Sequence, residues 1–551
     1  MKLLRTLSAR LKTIVAPGLT LALVLAATAV YAQTYTPLYS LGTTAGDPKN
    51  PTPAGLMSQG RDSNLYSSTA LGGTNNLGAA FKVTTTGTLT KVLDFSTGAP
   101  NGLTLGFDGN LYGATPGGGT QNIGSIFKMT PSGQLTTLWS FTGGADEGNP
   151  LFPPFQGQDG NFYGTVAGVY TGTYGIAYKM TNSGAVTPLE TFDFTHGATP
   201  NLPAQGTDGN FYGTTRAGGT SNMGVVYKLT SAGKLTVLHN FAGYPNDGNL
   251  PVGVLVQNSD GNFYGTTYSG GAHNQGTIFK ISAAGVYTLL YSFNDVAGSD
   301  GLNPWTGLAA GTDGNLYGTS QGGSHNAGAL FKVTPAGVES VLYNFCSVSG
   351  CADGFFPQTP LMQHTNGKFY GETESGGANG INGGVFYSLD LGLKPFVGLV
   401  NWTGKVGKTV EMIGQGFTGT TSVSFNGTAA TFTVSSDTYL TAVVPAGAKT
   451  GTVTVVTPGA ILKSNRRFLV TPAILSFSPP SGQVGTPVTI TGTSFTGATK
   501  VTFGGVKATA FTVDTDSQIT ATVPTGAVTG KIQVTTAGGT ATSATTFTVL
   551  P

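Results

Sequence analysis

The chain has 551 residues, of which 9% are charged and 10% aromatic, with 86 glycines and a formal net charge of +2. This length provides for two to four domains with a large buried core, and the glycine-rich, charge-poor composition indicates short strands joined by turns rather than helices or a disordered chain. The near-neutral charge also argues against nucleic-acid binding, which needs a basic surface.

The first residues have the pattern of a secretory signal. Four basic residues precede an apolar stretch from about Ile14 to Ala29, and cleavage is expected before Gln33. We therefore predict a signal peptide over 1–32 and a mature chain with 22 basic and 24 acidic residues and no membrane span. The alternative is an uncleaved anchor, for which the apolar run is short.

A segment close to Asp-Gly-Asn-Leu/Phe-Tyr-Gly then recurs seven times, at spacings of 46 to 53 residues. A period near fifty with several strands in each unit is typical of a β-propeller, in which each unit is one blade. The repeats are centred on Tyr66, Tyr112, Tyr163, Tyr212, Tyr264, Tyr317 and Tyr370. In the fifth unit, the four predicted strands are Val252–Gln257, Asn262–Thr267, Thr277–Ile281 and Val286–Phe293.

The two ends of the repeat region predict how the ring closes. The seventh unit lacks a fourth strand, whereas Tyr35–Leu41, ahead of the first unit, resembles the fourth strand Tyr287–Phe293. We predict that this N-terminal strand completes the last blade and removes the open edges of the array.

Two residue patterns accompany the repeats. Six units have an aspartate in the Asp-Gly turn and a lysine 19 or 20 residues later, and the seventh lacks both, which predicts a cross-strand pair. A ring of lysines that binds an anion is the alternative. The repeated tyrosines and the third-strand aromatics are expected to fill the space between blades. These aromatics are Phe81, Phe127, Tyr178, Tyr227, Phe279, Phe331 and Tyr387.

The connections after strands two and four are long, so they predict one loop-rich face opposite a smooth face that has only short turns. Binding sites concentrate in such loops. Carboxylates and an aromatic side chain in the loops after strand four, namely Asp146, Glu147, Asp247, Asp300 and Trp305, are candidate ligand-binding residues. The simpler interpretation is that each acidic-Gly element only forms a turn ahead of proline.

Two histidines, His273 and His325, stand at matching positions of adjacent blades, in loops after strand two. They complete the set of candidate ligand-binding residues. A zinc site needs further ligands that the spacing does not supply, and we predict neither a metal site nor a cofactor.

Cys346 and Cys351 are the two cysteines, five residues apart in one loop. In an oxidising compartment this spacing favours a local disulfide, and a catalytic thiol is the alternative.

After Leu391 a second repeat of 78 or 79 residues begins, with about seven short strands in each copy. This predicts two small β-sandwiches. The predicted organisation is therefore a signal peptide (1–32), a seven-bladed propeller (33–391) and two immunoglobulin-like sandwiches (392–471 and 472–551), an all-β fold.

Two families resemble these segments. Units with Asp-Gly-Asn-Phe-Tyr-Gly-Thr-Thr, Gly-Gly and Asn-x-Gly-x-x-Phe-Lys resemble the GloVer tandem repeats of exported bacterial "choice-of-anchor" proteins. The C-terminal residues resemble two IPT/TIG domains, through Pro479, Gly482, Gly492, Phe503 and Gly505. The resemblance implies an exported bacterial protein and supplies no catalytic residues.

We expect a secreted or cell-surface protein, monomeric, whose propeller face binds an extracellular glycan or protein while the sandwiches serve as spacers. An extracellular carbohydrate-active hydrolase or lyase is the rival, and a purely structural envelope protein is the third hypothesis. The fold does not separate these hypotheses.

Overall fold

The computed structural model describes residues 33–551 apart from 54, 169–171, 295–299, 379 and 381–382. The predicted signal peptide lies outside the described residues. The described part consists of 49 strands and one short 3-10 helix, Ser349–Cys351. A helix long and apolar enough to cross a membrane does not occur in it.

The strands up to Asp390 form seven antiparallel sheets, and each sheet is one blade with four strands side by side. Blade 1 contains β2 (Pro48–Pro51), β3 (Ser58–Gln59), β4 (Leu65–Gly72), β5 (Ala79–Val83) and β6 (Leu89–Asp94), and blade 2 contains β7 (Leu103–Leu105), β8 (Leu111–Thr115), β9 (Ser125–Met129) and β10 (Leu135–Ser140). Blade 3 contains β11 (Phe155–Gln156), β12 (Phe162–Val166), β13 (Ile176–Met180) and β14 (Val186–Thr191). Blade 4 contains β15 (Ala198–Pro200), β16 (Ala204–Gln205), β17 (Phe211–Ala217), β18 (Val225–Leu229) and β19 (Leu235–Asn240).

In blades 1 and 4 the first strand is divided into two short pieces on the same partner. Blade 5 contains β20 (Gly248–Gln257), β21 (Phe263–Gly270), β22 (Thr277–Ile281) and β23 (Tyr287–Ser292). Blade 6 contains β24 (Ala309–Ala310), β25 (Leu316–Ser320), β26 (Ala329–Val333) and β27 (Glu339–Asn344). Blade 7 contains β28 (Met362–Gln363), β29 (Phe369–Thr373), β30 (Val385–Asp390) and β1 (Thr34–Ser40). The fifth unit thus has its four strands where the sequence predicts them, to within a few residues.

The blades close into a ring, because one apolar cluster lies at each of the seven interfaces between neighbours. In every cluster the motif tyrosine of one blade packs with the third-strand aromatic residue of the next blade, as predicted. The pairs are Tyr66 with Phe127, Tyr112 with Tyr178, Tyr163 with Tyr227, Tyr212 with Phe279, Tyr264 with Phe331, Tyr317 with Tyr387, and Tyr370 with Phe81. The last pair joins blade 7 to blade 1.

The N-terminal strand completes blade 7, which confirms the predicted closure. Thr34 to Ser40 pair antiparallel with Asp390 to Val385. The ring of Tyr35 stacks on Tyr343 of blade 6 at a centroid distance of 3.9 Å, and its hydroxyl donates to the carbonyl of Asp353 at 2.6 Å. Both ends of the repeat region are therefore held in one sheet.

In six of the seven blades a glycine follows the motif tyrosine and makes room for the aromatic residue of the third strand. A Cβ atom on Gly113 would lie 2.2 Å from Cζ of Phe127, its cross-strand partner. Since real Cβ atoms do not approach a ring so closely, the Tyr-Gly pair in the repeat follows from packing. In blade 1, Ser67 takes this glycine's place opposite Phe81.

The Asp-Gly-Asn-x-Tyr motif is a local hydrogen-bonded unit. In blade 5 the carboxylate of Asp260 accepts hydrogen bonds from the backbone and side-chain amides of Asn262, and from the hydroxyl of Tyr264 at 2.6 Å. Five other blades repeat these contacts. In blade 7 Asn366 replaces the aspartate and donates to the hydroxyl of Tyr370 instead.

The predicted Asp–Lys pair is confirmed as an ion pair in three blades, where Lys82–Asp62, Lys179–Asp159 and Lys228–Asp208 lie at 3.8, 3.4 and 3.1 Å. These side chains are about a third exposed, so each pair adds little stability. Blade 7 has a pair of its own between Lys368 and Asp390 at 3.0 Å.

The remaining residues form two β-sandwiches, each with its own apolar core; the first has two four-stranded sheets and a two-stranded sheet, and the second has a four-stranded and a five-stranded sheet. The first contains β31 (Gly398–Leu399), β32 (Thr403–Gly404), β33 (Thr409–Ile413), β34 (Ser422–Phe425), β35 (Thr428–Ala430), β36 (Phe432–Ser436), β37 (Tyr439–Val443), β38 (Val453–Val456), β39 (Ile461–Lys463) and β40 (Leu469–Val470). The second contains β41 (Ala473–Ser478), β42 (Ser481–Gly482), β43 (Pro487–Thr493), β44 (Lys500–Phe503), β45 (Val506–Lys507), β46 (Phe511–Thr515), β47 (Gln518–Thr522), β48 (Gly530–Thr536) and β49 (Gly539–Val549).

The first sandwich contacts the smooth face of the propeller through Arg61, the residue before the turn aspartate of blade 1. Its guanidinium forms an ion pair with Glu411 at 2.5 Å and lies 4.7 Å from the ring centroid of Tyr439. The carbonyl oxygen of Arg61 accepts a hydrogen bond from Thr438.

Two other blades contribute the residue at the same position of the repeat. In blade 3, Oε1 of Gln158 accepts hydrogen bonds from the backbone amides of Trp402 and Thr403. In blade 7, Oγ1 of Thr365 accepts one from Gln415 at 3.2 Å. Because these contacts come from blades 1, 3 and 7, the first sandwich lies across the smooth face and is held against the ring.

Candidate functional site

The loop-rich face has a repeated joint between neighbouring blades. Each connection after a fourth strand ends in a proline that packs on the glycine before the third strand of the preceding blade. At one joint, Cδ of Pro304 lies 2.7 Å from the position of a Cβ on Gly276, and the Asn303 amide donates to the carbonyl of Gln275. The seven pairs are Gly78–Pro100, Gly124–Pro150, Gly175–Pro200, Gly224–Pro251, Gly276–Pro304, Gly328–Pro357 and Gly384–Pro51. This joint fixes the loops that carry the predicted site residues.

The predicted carboxylates are buried and form turns. Asp146 accepts hydrogen bonds from the amide and hydroxyl of Thr142 and from the indole of Trp139. Asp300 accepts from the hydroxyl of Tyr291 and the amide of Asn294. These contacts support the turn interpretation for both residues.

Asp247 is held in the same way between two blades. His239 and Tyr287 stack at a centroid distance of 3.8 Å, and both donate to the Asp247 carboxylate, at 2.9 and 2.7 Å. Burial alone would raise the pKa of Asp247, but these hydrogen bonds hold it below its ordinary value. The carboxylate is thus engaged within the fold.

Glu147 differs from its neighbours. It is 6% exposed, it has a positive φ of 49°, and no hydrogen bond to its buried Oε2 occurs among the described residues. Burial raises the pKa of its carboxyl. It packs beside Gly168, where a Cβ would lie 2.8 Å from Oε2.

The two histidines are not brought together with other metal-binding side chains. His273 and His325 are exposed, and His325 contacts the hydroxyl of Ser324. Among the described residues no group of three or more His, Cys, Asp or Glu could hold a metal ion. Cys346 and Cys351 form the predicted disulfide.

A set of residues that the sequence interpretation missed lies four positions after each motif tyrosine, at or just past the end of the second strand. All seven are half-buried on the loop-rich face. The motif itself is nearly constant, but the residue at this position differs in type between blades 1 to 3 and blades 4 to 7. In blade order they are Ala70, Pro116, Ala167, Arg216, Tyr268, Gln321 and Glu374.

Blades 4 to 7 therefore present polar and aromatic side chains where blades 1 to 3 present alanine and proline. We call Arg216, Tyr268, Trp305, Gln321 and Glu374 the rim arc. Trp305, one of the predicted site residues, belongs to it because it meets Tyr268 edge to face at a centroid distance of 5.0 Å.

The backbone of the rim arc is fixed from the neighbouring blade. Nδ2 of Asn303 donates to the carbonyl of Tyr268 at 2.7 Å, and Nδ2 of Asn50 donates to that of Glu374 at 3.2 Å. Both asparagines have a positive φ and precede the proline of the joint. The side chains of Tyr268 and Glu374 thus start from rigid positions.

The charged members of the rim arc are partly removed from water. Burial lowers the pKa of the Arg216 guanidinium and raises the pKa of the Glu374 carboxyl. Nε of Arg216 donates to Oδ1 of Asn201 at 3.3 Å, and Asn201 is fully buried. The arc can thus offer an aromatic surface, planar amides and one charge of each sign.

Two cavities of about 310 and 320 Å³ lie elsewhere. The first is on the loop-rich face near Asp47, Lys49 and Asn76, and the second is on the smooth face near Arg61 and Asp108. Neither cavity is lined by a predicted site residue. The rim arc is distinguished from both cavities by chemistry that differs between blades.

Family comparisons match both parts of the chain. The sequence model of the Gloeobacter/Verrucomicrobia repeat matches residues 27–166 and 152–386, and that of the IPT/TIG domain matches residues 395–469 and 472–549. No curated protein matches the sequence.

Solved structures are only distantly similar. A streptogramin B lyase has a TM-score of 0.46 and 14% identity, over 65% of this chain and 98% of its own. Virginiamycin B lyase from Staphylococcus aureus has a TM-score of 0.45 and 14% sequence identity, over 65% of this chain and 100% of its own. A surface glycan-binding protein from Prevotella bryantii has a TM-score of 0.21 and 19% sequence identity, over 28% of this chain and 38% of its own. Similarities at this level carry no information on function.

Proposed function

We propose that this chain, which belongs to the Gloeobacter/Verrucomicrobia repeat family and carries two IPT/TIG domains after the repeats, is an exported or cell-surface protein that binds a glycan. The rim arc on the loop-rich face of the propeller is the proposed binding site. The sandwiches serve as docking and spacer modules.

The arrangement of the two faces supports this choice. The first sandwich contacts blades 1, 3 and 7 on the smooth face through Arg61, Gln158 and Thr365. A ligand as large as a polysaccharide therefore has freer access to the opposite face. The joints between blades make that face a rigid platform, which reduces the entropy lost on binding.

The aromatic pair of Tyr268 and Trp305 carries the proposal. Both residues are half-buried, and the backbone carbonyl of Tyr268 is held by Asn303. Aromatic rings present a large, rigid apolar surface at small entropic cost, and their faces suit the C–H groups of a sugar ring. Blades 1 to 3 have no such aromatic pair at the equivalent positions.

The polar members of the rim arc favour a sugar over a peptide. Gln321 and Glu374 follow Tyr268 in the next two blades, at the same position of the repeat. The amide of Gln321 can accept and donate hydrogen bonds and the carboxylate of Glu374 can accept them, which suits the hydroxyl groups of a sugar.

A glycan array probed with the chain from Gln33 tests the proposal. We expect binding to a defined class of glycan, and a variant with Tyr268→Ala and Trp305→Ala should lose it. Tyr244→Ala is the matched control, since Tyr244 is 62% exposed on a loop of the same face but outside the arc. Binding that survives the double substitution contradicts the proposed site.

The same glycans are incubated with the protein and analysed for shorter products. Release of products would replace the binding function by a carbohydrate-active enzyme. If the chain neither binds nor degrades any glycan of the array but captures a specific extracellular protein, the ligand is a protein rather than a glycan.

A further inference from the structure

One member of the rim arc, Arg216, has a charge that the fold does not balance. Among the described residues no carboxylate forms an ion pair with it, whereas Arg61 is paired with Glu411 at 2.5 Å. Arg216 is half-buried, and burial lowers the pKa of its guanidinium. A guanidinium removed from water without a counter-charge is costly to hold, so its position calls for an anionic partner.

The guanidinium is also held in one orientation. Its Nε donates to Oδ1 of Asn201, and Nδ2 of Asn201 donates to the hydroxyl of Thr214 and to the carbonyl of Pro251. Asn201 is fully buried, so this amide is a rigid support. No described residue accepts a hydrogen bond from the two terminal nitrogens of Arg216, which leaves that end of the fork for a ligand.

The same hydrogen bonds connect Arg216 to the blade that carries Tyr268. The carbonyl that Asn201 reaches belongs to Pro251 of blade 5, and Pro251 pairs with Thr267, the residue before Tyr268. Arg216 and Tyr268 also occupy the same repeat position in adjacent blades. A glycan whose sugar ring lies on Tyr268 and Trp305 could therefore extend toward the adjacent blade 4, where Arg216 lies.

We infer that Arg216 is an anion-binding subsite and that the glycan recognised by the rim arc is acidic. The inference rests on the proposed glycan-binding function and adds the charge of the ligand. A planar guanidinium fork matches a carboxylate bidentately and also binds sulfate esters. Both ligand groups share this chemistry, and the experiment separates them.

The test uses an array in which each uronic-acid oligosaccharide is printed beside the same oligosaccharide after reduction of its carboxylates, together with sulfated oligosaccharides. We expect the wild-type chain to bind an acidic glycan about tenfold or more tightly than its neutral counterpart. Binding confined to uronates identifies a carboxylate ligand, and binding confined to sulfated probes identifies a sulfate ester.

Substitutions assign this preference to the arginine. Arg216→Gln should lower the acidic-to-neutral ratio to about one, and Arg216→Lys, which keeps the charge without the fork, should restore only part of it. Their melting temperatures are measured alongside. Arg467→Gln, at an exposed arginine of the first sandwich, is the control and should leave the ratio unchanged.

The outcomes separate the two claims. Equal binding of acidic and neutral glycans that still depends on Tyr268 and Trp305 overturns the anionic subsite and leaves the proposed function standing. A preference for acidic glycans that persists in folded Arg216→Gln also overturns the subsite. Absence of binding to every probe overturns the proposed function, and the subsite with it.

Discussion

Tyr268 and Trp305 meet edge to face at a centroid distance of 5.0 Å, although they belong to the second strand of blade 5 and the first connection of blade 6. Nδ2 of Asn303, two residues before Trp305, donates to the carbonyl of Tyr268. One short segment of blade 6 therefore fixes both the backbone of Tyr268 and the ring beside it. The proposed site lies at an interface between blades, and its geometry depends on the ring being closed.

Trp305 should report ligand binding through its fluorescence. The chain has three tryptophans, of which Trp139 donates to the buried Asp146 and Trp402 is 7% exposed in the first sandwich. A glycan ring stacked on the rim arc changes the polarity around Trp305 alone. We expect the emission change on titration with the bound glycan to vanish in Trp305→Phe and to persist in Trp139→Phe. An unchanged signal in Trp305→Phe would place the ligand elsewhere.

Ring closure by the N-terminal strand should govern the stability of all seven blades. Deletion of residues 33–45 exposes the edge of β30 and removes the stack of Tyr35 on Tyr343. We expect the melting temperature to fall by more than about 5 °C in one cooperative transition. Thr36→Ala, at an exposed position of the same strand, should change it by about 1 °C or less. An unaltered melt of the truncated chain would show that the ring does not depend on this strand.

The ion pair of Arg61 and Glu411 should couple the first sandwich to the propeller. Blades 4, 6 and 7 have a threonine at the Arg61 position, so Arg61→Thr introduces the residue type that occurs there most often in the repeat. Because both side chains are partly exposed, a double-mutant cycle with Glu411→Gln should give a coupling energy of about 1 kcal/mol. We also expect faster proteolysis between the two modules in Arg61→Thr. Additive effects of the two substitutions would mean that the pair does not hold the interface.

Glu372 should make the seam between blades 7 and 1 sensitive to pH. It is 1% exposed, it accepts a hydrogen bond from Ser67 at 3.0 Å, and burial raises its pKa to about 8. The folded state therefore keeps a proton that the unfolded chain releases near its ordinary pKa. This contribution to stability is present at acidic pH and is lost as the pH rises through about 8.

Thermal melts between pH 5 and 9 of the wild type and Glu372→Gln check this sign. We expect the wild type to lose on the order of 5 °C more than the variant over this range. Ser67→Gly, which gives blade 1 the glycine of the other blades, removes the hydrogen bond that lowers the Glu372 pKa and should shift the loss to higher pH. Parallel pH profiles for the wild type and Glu372→Gln would contradict the assignment.

Much of the fold follows from the repeat because its packing is local and regular. The motif tyrosines, the third-strand aromatics and the closing strand occupy positions that spacing alone identifies, and the structure has them in contact. The docking of the first sandwich was not predictable in this way. Arg61 and Glu411 are 350 residues apart, and no periodicity relates them.

The candidate site was only partly predictable. Sequence features that recur between blades drew attention to Asp146, Asp247 and Asp300, and the structure has these carboxylates bonded within turns. Trp305 was predicted from the sequence as a site residue, and its role stays a prediction; its neighbour Tyr268 was not predicted. The signal lay four residues after each motif tyrosine, where alanine and proline in blades 1 to 3 give way to polar and aromatic residues in blades 4 to 7. A site on a symmetric ring needs residues that break the symmetry in this way.

The affinity of the chain for its glycan, measured by titration calorimetry on the wild type and on the Tyr268→Ala/Trp305→Ala variant, tests the central claim most directly. The rim arc predicts at least a tenfold loss of affinity in the double variant, with a melting temperature within about 3 °C of the wild type and with full binding retained by Tyr244→Ala. Equal affinity of the wild type and the double variant would contradict the account.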